Sequence, residues 1–199
     1  MKNIKNTNKN QEIIAELRFK EMPKKLNIGC GRDIREGYLN CDIVNVNGVD
    51  KVFDFNGEFP FEDNMFEEVR VWNCIHCCND LVKFMEEIYR VLKNGGIVKI
   101  QTFCFLSMEC ANDPYYKTKM GYNTFNLFNA DRKDYDELQG ISYDTKARFK
   151  ILKRKWIFST NKYLRWLSFI PNIFPRVYGR FFWFYFPSNN LYFELEAVK

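Results

Sequence analysis

Leu26-Asn27-Ile28-Gly29-Cys30-Gly31 is a short apolar run that ends in two glycines spaced one apart. The run has the composition of a buried strand. The glycines allow a tight turn and let a ligand approach the backbone with no Cβ in the way. Eleven positions after Gly31 the next apolar run closes on Asp42. A strand, a glycine turn and an acidic residue at the next strand end form a nucleoside site on an α/β sheet, where ligands sit at the carboxyl ends of the strands.

The spacing separates two ligand classes. A dinucleotide fingerprint needs a third glycine, a helix whose N-terminus receives pyrophosphate, and an acidic residue about 20 positions on. Here position 34 is Ile34, and Gly31 to Tyr38 leaves almost no room for a crossover helix. A nicotinamide dinucleotide is therefore disfavoured. A nucleoside without phosphates fits better, with Asp42 accepting from its ribose hydroxyls.

Working outward, strands are expected at Lys25 to Ile28, Tyr38 to Ile43, Lys51 to Asp54, Glu68 to Trp72 and Ile97 to Phe103. Asp80 to Lys93 reads as a helix, because Leu81, Phe84, Met85, Ile88, Val91 and Leu92 recur at helical spacing. Asp80 suits its N-cap, and Asn94-Gly95-Gly96 its stop. Another helix is expected at Glu12 to Lys20, ended by Pro23. Phe149 to Phe158 and Leu191 to Val198 read as two late strands. The expected fold is a Rossmann-like three-layer α/β sandwich, with a mixed sheet of about seven strands and the last pair antiparallel. Residues 1–22 form an N-terminal extension. Residues 23–199 form one domain with insertions at about 104–145 and 160–188, the first with the composition of a lid or substrate region.

The chain has 199 residues, enough for one domain with a sizeable core. Its net charge of +5 is unevenly spread. Thr145 to Phe193 carries ten Lys and Arg and no Asp or Glu, leaving 20 basic against 25 acidic residues elsewhere. The same region holds Trp166, Phe169, Phe174, Tyr178, Phe181 and Trp183 among many further rings. A basic aromatic segment on an acidic body has three readings: packing or homodimerisation, peripheral membrane contact through 160–188, and nucleic acid. The acidic remainder disfavours nucleic acid. The seven cysteines are odd in number and confined to the first 110 residues. Reduced thiols in the cytoplasm are the simplest expectation. Cys74-Ile75-His76-Cys77-Cys78 invites a zinc reading. Because the second half of a structural site is missing, no metal is expected.

The stretch Lys25 to Ile43, KLNIGCGRDIREGYLNCDI, resembles the first two motifs of class I S-adenosylmethionine-dependent methyltransferases. Asp54, Pro60, Phe61, Asp63, Phe66 and Arg90-Val91-Leu92-Lys93-Asn94-Gly95-Gly96 resemble the rest of that core, so the likeness spans about residues 24–103. It implies methyl transfer from S-adenosylmethionine to an oxygen or nitrogen of a small acceptor, a sugar or lipid-linked sugar being the leading class. It implies that Gly29, Cys30 and Gly31 line the methionine end of the cofactor. Asp42 would hold the ribose, and Ile43, Asp54 and Phe55 the adenine. Asn73 and Cys74 would face the sulfonium, and Asn27 joins these as a cofactor-binding candidate.

Two departures bear on the acceptor side. The family often has Leu-Glu-His after its fourth strand, where this chain has Ile75-His76-Cys77. Relatives often show Asp-Pro-Thr-His-Lys after the fifth strand, where this chain has Asp113-Pro114-Tyr115-Tyr116-Lys117. His76, Tyr115 and Tyr116 are the catalytic candidates. His76 is the single histidine, the residue type that titrates near neutral pH. Methyl transfer can also run on alignment alone. A second reading, prompted by the missing family histidine, is a cofactor-binding module without turnover. A third is a membrane-surface partner protein.

Overall fold

The computed structural model describes residues 22–131, 145–159 and 164–199. The helix expected at Glu12 to Lys20 lies outside these residues.

Seven strands form one mixed sheet: β1 (Lys25–Ile28), β2 (Leu39–Asp42), β3 (Lys51–Val52), β4 (Phe66–Trp72), β5 (Leu92–Phe103), β6 (Phe149–Ile157) and β7 (Asn190–Ala197). Their order is β3-β2-β1-β4-β5-β7-β6. The first five are parallel, and β7 runs antiparallel to both β5 and β6. The switch point falls beside β1, where chain order reverses direction across the sheet, so a ligand crevice is expected at its carboxyl end. The connection from β1 to β2 is a loop with no helix, as the short spacing requires.

Helix α1 (Leu81–Val91) links β4 to β5. The Asp80 carboxylate caps it, accepting from the Val82 and Lys83 amides at 2.9 and 3.1 Å. Its Phe84, Met85, Ile88 and Val91 are buried in one core with Leu26, Ile28, Val69, Val71, Val98 and Ile100. Arg90 fixes the loop that crosses beneath it. Its guanidinium donates to the Phe59 and Phe61 carbonyls at 2.8 and 2.7 Å, to Asp63, and to Glu87.

Several boundaries differ from expectation, β4 starting at Phe66 rather than Glu68 among them. Helix α1 stops at Val91, and Leu92 turns extended to pair with Phe66. Strand β5 therefore absorbs Asn94-Gly95-Gly96, with Gly95 at φ +75°. Strand β3 is only two residues long, because Asp54 forms a side-chain turn to the Asn56 amide at 2.9 Å. In the segment after β5, Met120, Phe125 and Phe128 are fully buried, and Phe125 packs edge-on against Phe193. That part of the segment helps to build the core.

Candidate functional site

The carboxyl ends of β1, β2 and β4 meet at Gly29. A Cβ there would lie 2.5 Å from Cys74 Sγ and 2.7 Å from Cys74 Cβ, and Gly29 has φ +62°. Only glycine allows the end of β1 to pass this close to the start of the β4 loop. The ring of Phe55 stands 4.0 Å from the same point, so Gly29, Cys74 and Phe55 are neighbours.

Gly31 differs. It has φ +50°, yet a Cβ there would meet nothing within 4 Å. Its amide donates to Asp42 Oδ2 at 2.7 Å, and the Val44 amide donates to Asp42 Oδ1 at 3.0 Å. Each carboxylate oxygen thus takes one backbone N–H. A carboxylate has about four lone-pair sites, so two remain to accept from a diol. Ile43 follows with more than half of its surface exposed. The residues fit an unphosphorylated nucleoside: backbone open at Gly31, an oriented carboxylate at Asp42, and an apolar face at Ile43.

Asn27 is fully buried. Its amide donates to the Asp33 carbonyl and to Asn40 Oδ1 at 2.9 and 3.0 Å, and it accepts from Arg70 Nη1 at 3.0 Å. Arg70 also donates to Asp33 Oδ2 at 2.7 Å. This network holds the loop after Gly31, so Asn27 supports the turn from below. Arg70 is a site-building residue that the sequence reading missed. Its signal was a charged residue inside a Val-rich strand, where a buried guanidinium requires partners.

Asn73 takes the left-handed conformation, φ +51°. Its Oδ1 accepts from Asn190 Nδ2 at 3.3 Å, so β7 reaches back to the end of β4. Asp54 is exposed, with its carboxylate on Asn56. Burial raises the Cys74 thiol far above its ordinary range and pushes Cys30 up to about 11, so both stay neutral thiols.

His76 lies in a short turn after Cys74 and is buried. Its ring stacks on Tyr116 at 4.9 Å and meets Phe103 at 5.1 Å. Nε2 stands 3.3 Å from Asp113 Oδ2, while Nδ1 is buried with no hydrogen-bond partner among the described residues. Burial lowers the His76 pKa and outweighs the opposing charge of Asp113. The pairing assigns the proton to Nε2 and leaves a lone pair on Nδ1. Tyr116 donates to the Phe103 carbonyl at 3.2 Å and accepts from the Met120 amide at 3.3 Å, and burial raises its phenol well beyond the ordinary value. Tyr115 is 71% exposed. His76, Asp113 and Tyr116 therefore come together, and Tyr115 stands apart. The ligating atoms of His76, Cys77 and Asp113 also lie within 4.8 Å of one another.

A cavity of about 750 Å³ lies away from Gly31 and Asp42, over Trp72, Gln101, Lys155 and Tyr192.

Residues 30–100 match the methyltransferase-domain family model. Over that stretch, about a third of the chain, the sequence is similar to this family. A curated relative, the mitochondrial 2-methoxy-6-polyprenyl-1,4-benzoquinol methylase of Leishmania donovani, is 32% identical over 94 residues, which cover 47% of this chain and 30% of that protein. The match thus spans under a third of the relative's length. Among solved structures, a SAM-dependent methyltransferase from Archaeoglobus fulgidus superposes with a TM-score of 0.56 at 14% identity, covering 94% of this chain and 93% of its own. The [4+2]-cyclase SpnF gives 0.54 at 16% identity, covering 87% and 74%. These two likenesses are of fold. The matched residues begin just after β1, run through β2, β3 and β4 into β5, and include Gly31 and Asp42.

Proposed function

We propose that this protein transfers the methyl group of S-adenosylmethionine to an oxygen or nitrogen of a small acceptor. The observation that carries this reading is the Asp42 carboxylate, fixed by the Gly31 and Val44 amides with two lone-pair sites to spare. Asp42 would accept from the ribose hydroxyls, and Ile43 and Phe55 would flank the adenine. Gly29 to Gly31, Asn73 and Cys74 would surround the methionine end. The cofactor, when bound, supplies an electrophilic methyl on a sulfonium.

The chain's own residues do the rest. Asn73 and Cys74 stand at the end of β4, where donor and acceptor must align. His76 Nδ1, buried with no hydrogen-bond partner among the described residues, would take the proton from an acceptor hydroxyl or ammonium. Asp113 keeps the other ring proton on Nε2, and Tyr116 fixes the ring plane by stacking. A neutral thiol at Cys74 is a weak competitor for the methyl.

For acceptor class we favour a sugar or lipid-linked small molecule. The relative named for a polyprenyl benzoquinol supports an acceptor with an apolar tail. Because one protein of the same fold is named for a cyclisation, transfer needs a direct test. The purified chain is titrated with S-adenosylhomocysteine, then incubated with methyl-labelled cofactor and a panel of sugar, lipid-linked and quinol acceptors. Micromolar binding and label in an acceptor are expected. Tight binding with no labelled acceptor would favour a module without turnover, and no binding would sink both readings.

A further inference from the structure

The segment between β6 and β7 takes no part in the proposed chemistry. Phe103 and Ile157 both register opposite Asn190, so this segment leaves and re-enters the sheet at the carboxyl end of the parallel strands, the end that carries Gly31, Asp42 and Asn73.

From Phe174 to Phe186 its residues divide by helical spacing. Pro175, Arg176, Gly179, Arg180 and Trp183 border a groove of about 580 Å³ that also takes in Lys119. Phe174, Val177, Tyr178, Phe182 and Phe186 border, with Ile170, a second groove of about 540 Å³. The Tyr178 hydroxyl there is spent on the Phe186 carbonyl at 2.5 Å. One side is thus basic and the other apolar. Trp183 anchors the segment, packing on Phe105 and Trp156 at 4.7 and 5.3 Å. Phe182, Phe184 and Phe186 are 51, 70 and 62% exposed. Soluble surfaces rarely leave so many large rings uncovered together.

The occupant must be apolar and anionic at once. Arg176 and Arg180 are exposed and have no carboxylate partner among the described residues. A second copy seated symmetrically would set these arginines against their own images, because a two-fold interface uses the same patch twice. Aliphatic walls at Ile170 and Val177 suit hydrocarbon better than stacked bases. No helix among the described residues is long and apolar enough to cross a membrane. We propose that the segment docks the protein on an anionic phospholipid surface, with Phe182, Phe184 and Phe186 entering the acyl layer and Arg176 and Arg180 meeting headgroup phosphates. The active end of the sheet then faces the bilayer. This surface stands independently of the methyl-transfer reading.

The test is co-sedimentation of the full chain with vesicles of phosphatidylglycerol and phosphatidylcholine, and with phosphatidylcholine alone. Strong binding to the first and weak binding to the second are expected. F182S/F186S should lower partitioning on the order of 100-fold. R176Q/R180Q should bring the anionic value down to the neutral one, and it decides the matter if the Phe pair fails to fold. Unchanged melting and unchanged S-adenosylhomocysteine affinity verify that a variant is intact. Absence of binding to anionic vesicles overturns the proposal, as does binding that survives both variants. A dimer in ultracentrifugation that F182S/F186S dissolves, without vesicle binding, overturns it in favour of a second copy. Vesicle binding without cofactor binding would defeat only the transfer reading.

Discussion

The Gly31 amide and Asp42 Oδ2 stand 2.7 Å apart across the carboxyl ends of β1 and β2. One carboxylate thus shapes the turn and, with its remaining lone pairs, offers the acceptor for a ribose. Asp42→Ala removes both roles and should weaken S-adenosylhomocysteine binding by about tenfold to a thousandfold, the effect of a lost charged hydrogen-bond partner. Asp42→Asn keeps one carbonyl oxygen and should fall between the two. Calorimetric titration of the three proteins decides it, and equal affinities would remove Asp42 from the site.

The two glycines of the turn should respond in opposite ways to a methyl group. Gly29→Ala drives a Cβ to 2.5 Å from Cys74 Sγ at a positive φ. It should lose about 2–5 kcal/mol of stability from strain and overpacking. Adding Cys74→Gly should recover the overpacking part only. Gly31→Ala meets nothing within 4 Å, so its stability loss should stay near 1–2 kcal/mol. Its methyl instead projects into the space assigned to the ligand, and cofactor affinity should fall about tenfold or more. Chemical denaturation and titration, run side by side, separate the two effects.

Arg90 is part of a stretch that resembles a family motif, yet its contacts are structural. It donates to two loop carbonyls and to two carboxylates. A lysine keeps the charge but not the planar fork. Arg90→Lys should destabilise the fold by about 1–3 kcal/mol and leave cofactor affinity unchanged. Urea melts and titration of the same sample check both halves. A weakened affinity with full stability would contradict this assignment.

The elements legible in the sequence were those written in local pattern. Asp80 and the spacing of Phe84, Met85 and Ile88 announce α1 within a dozen residues. The Gly29–Gly31 turn and Asp42 declare themselves by type and separation. What stayed hidden depends on partners distant in the chain. Leu92 reads as helix until its pairing with Phe66 is seen, and that pairing draws the Gly95–Gly96 stop into β5. The buried network around Asn27 stays invisible until Arg70, 43 positions on, is seen to donate to its side-chain oxygen. Asn190 reaches Asn73 across 117 positions, and only β7 inserted beside β5 brings them together. Asp113 and His76 are each visible, but their pairing is a product of the turn that stacks Tyr116 on the imidazole.

That pairing makes His76 the place where pH should act on both stability and turnover. Burial holds its pKa below the ordinary 6.5, against the pull of Asp113. The unfolded chain therefore binds a proton at pH values where the folded chain does not. Stability is then fully present above about pH 6.5 and is lost progressively as pH falls from there toward the folded value. Thermal melts between neutral and mildly acidic pH should show this decline, and His76→Gln should flatten it. Asp113→Asn removes the carboxylate that opposes the shift. It should lower the pKa of His76 further and widen the window of loss. If Nδ1 takes the acceptor proton, His76→Gln should also reduce turnover by about 100-fold or more with cofactor affinity unchanged, and Asp113→Asn should reduce it less. A full rate in His76→Gln would leave alignment at Asn73 and Cys74 as the source of catalysis.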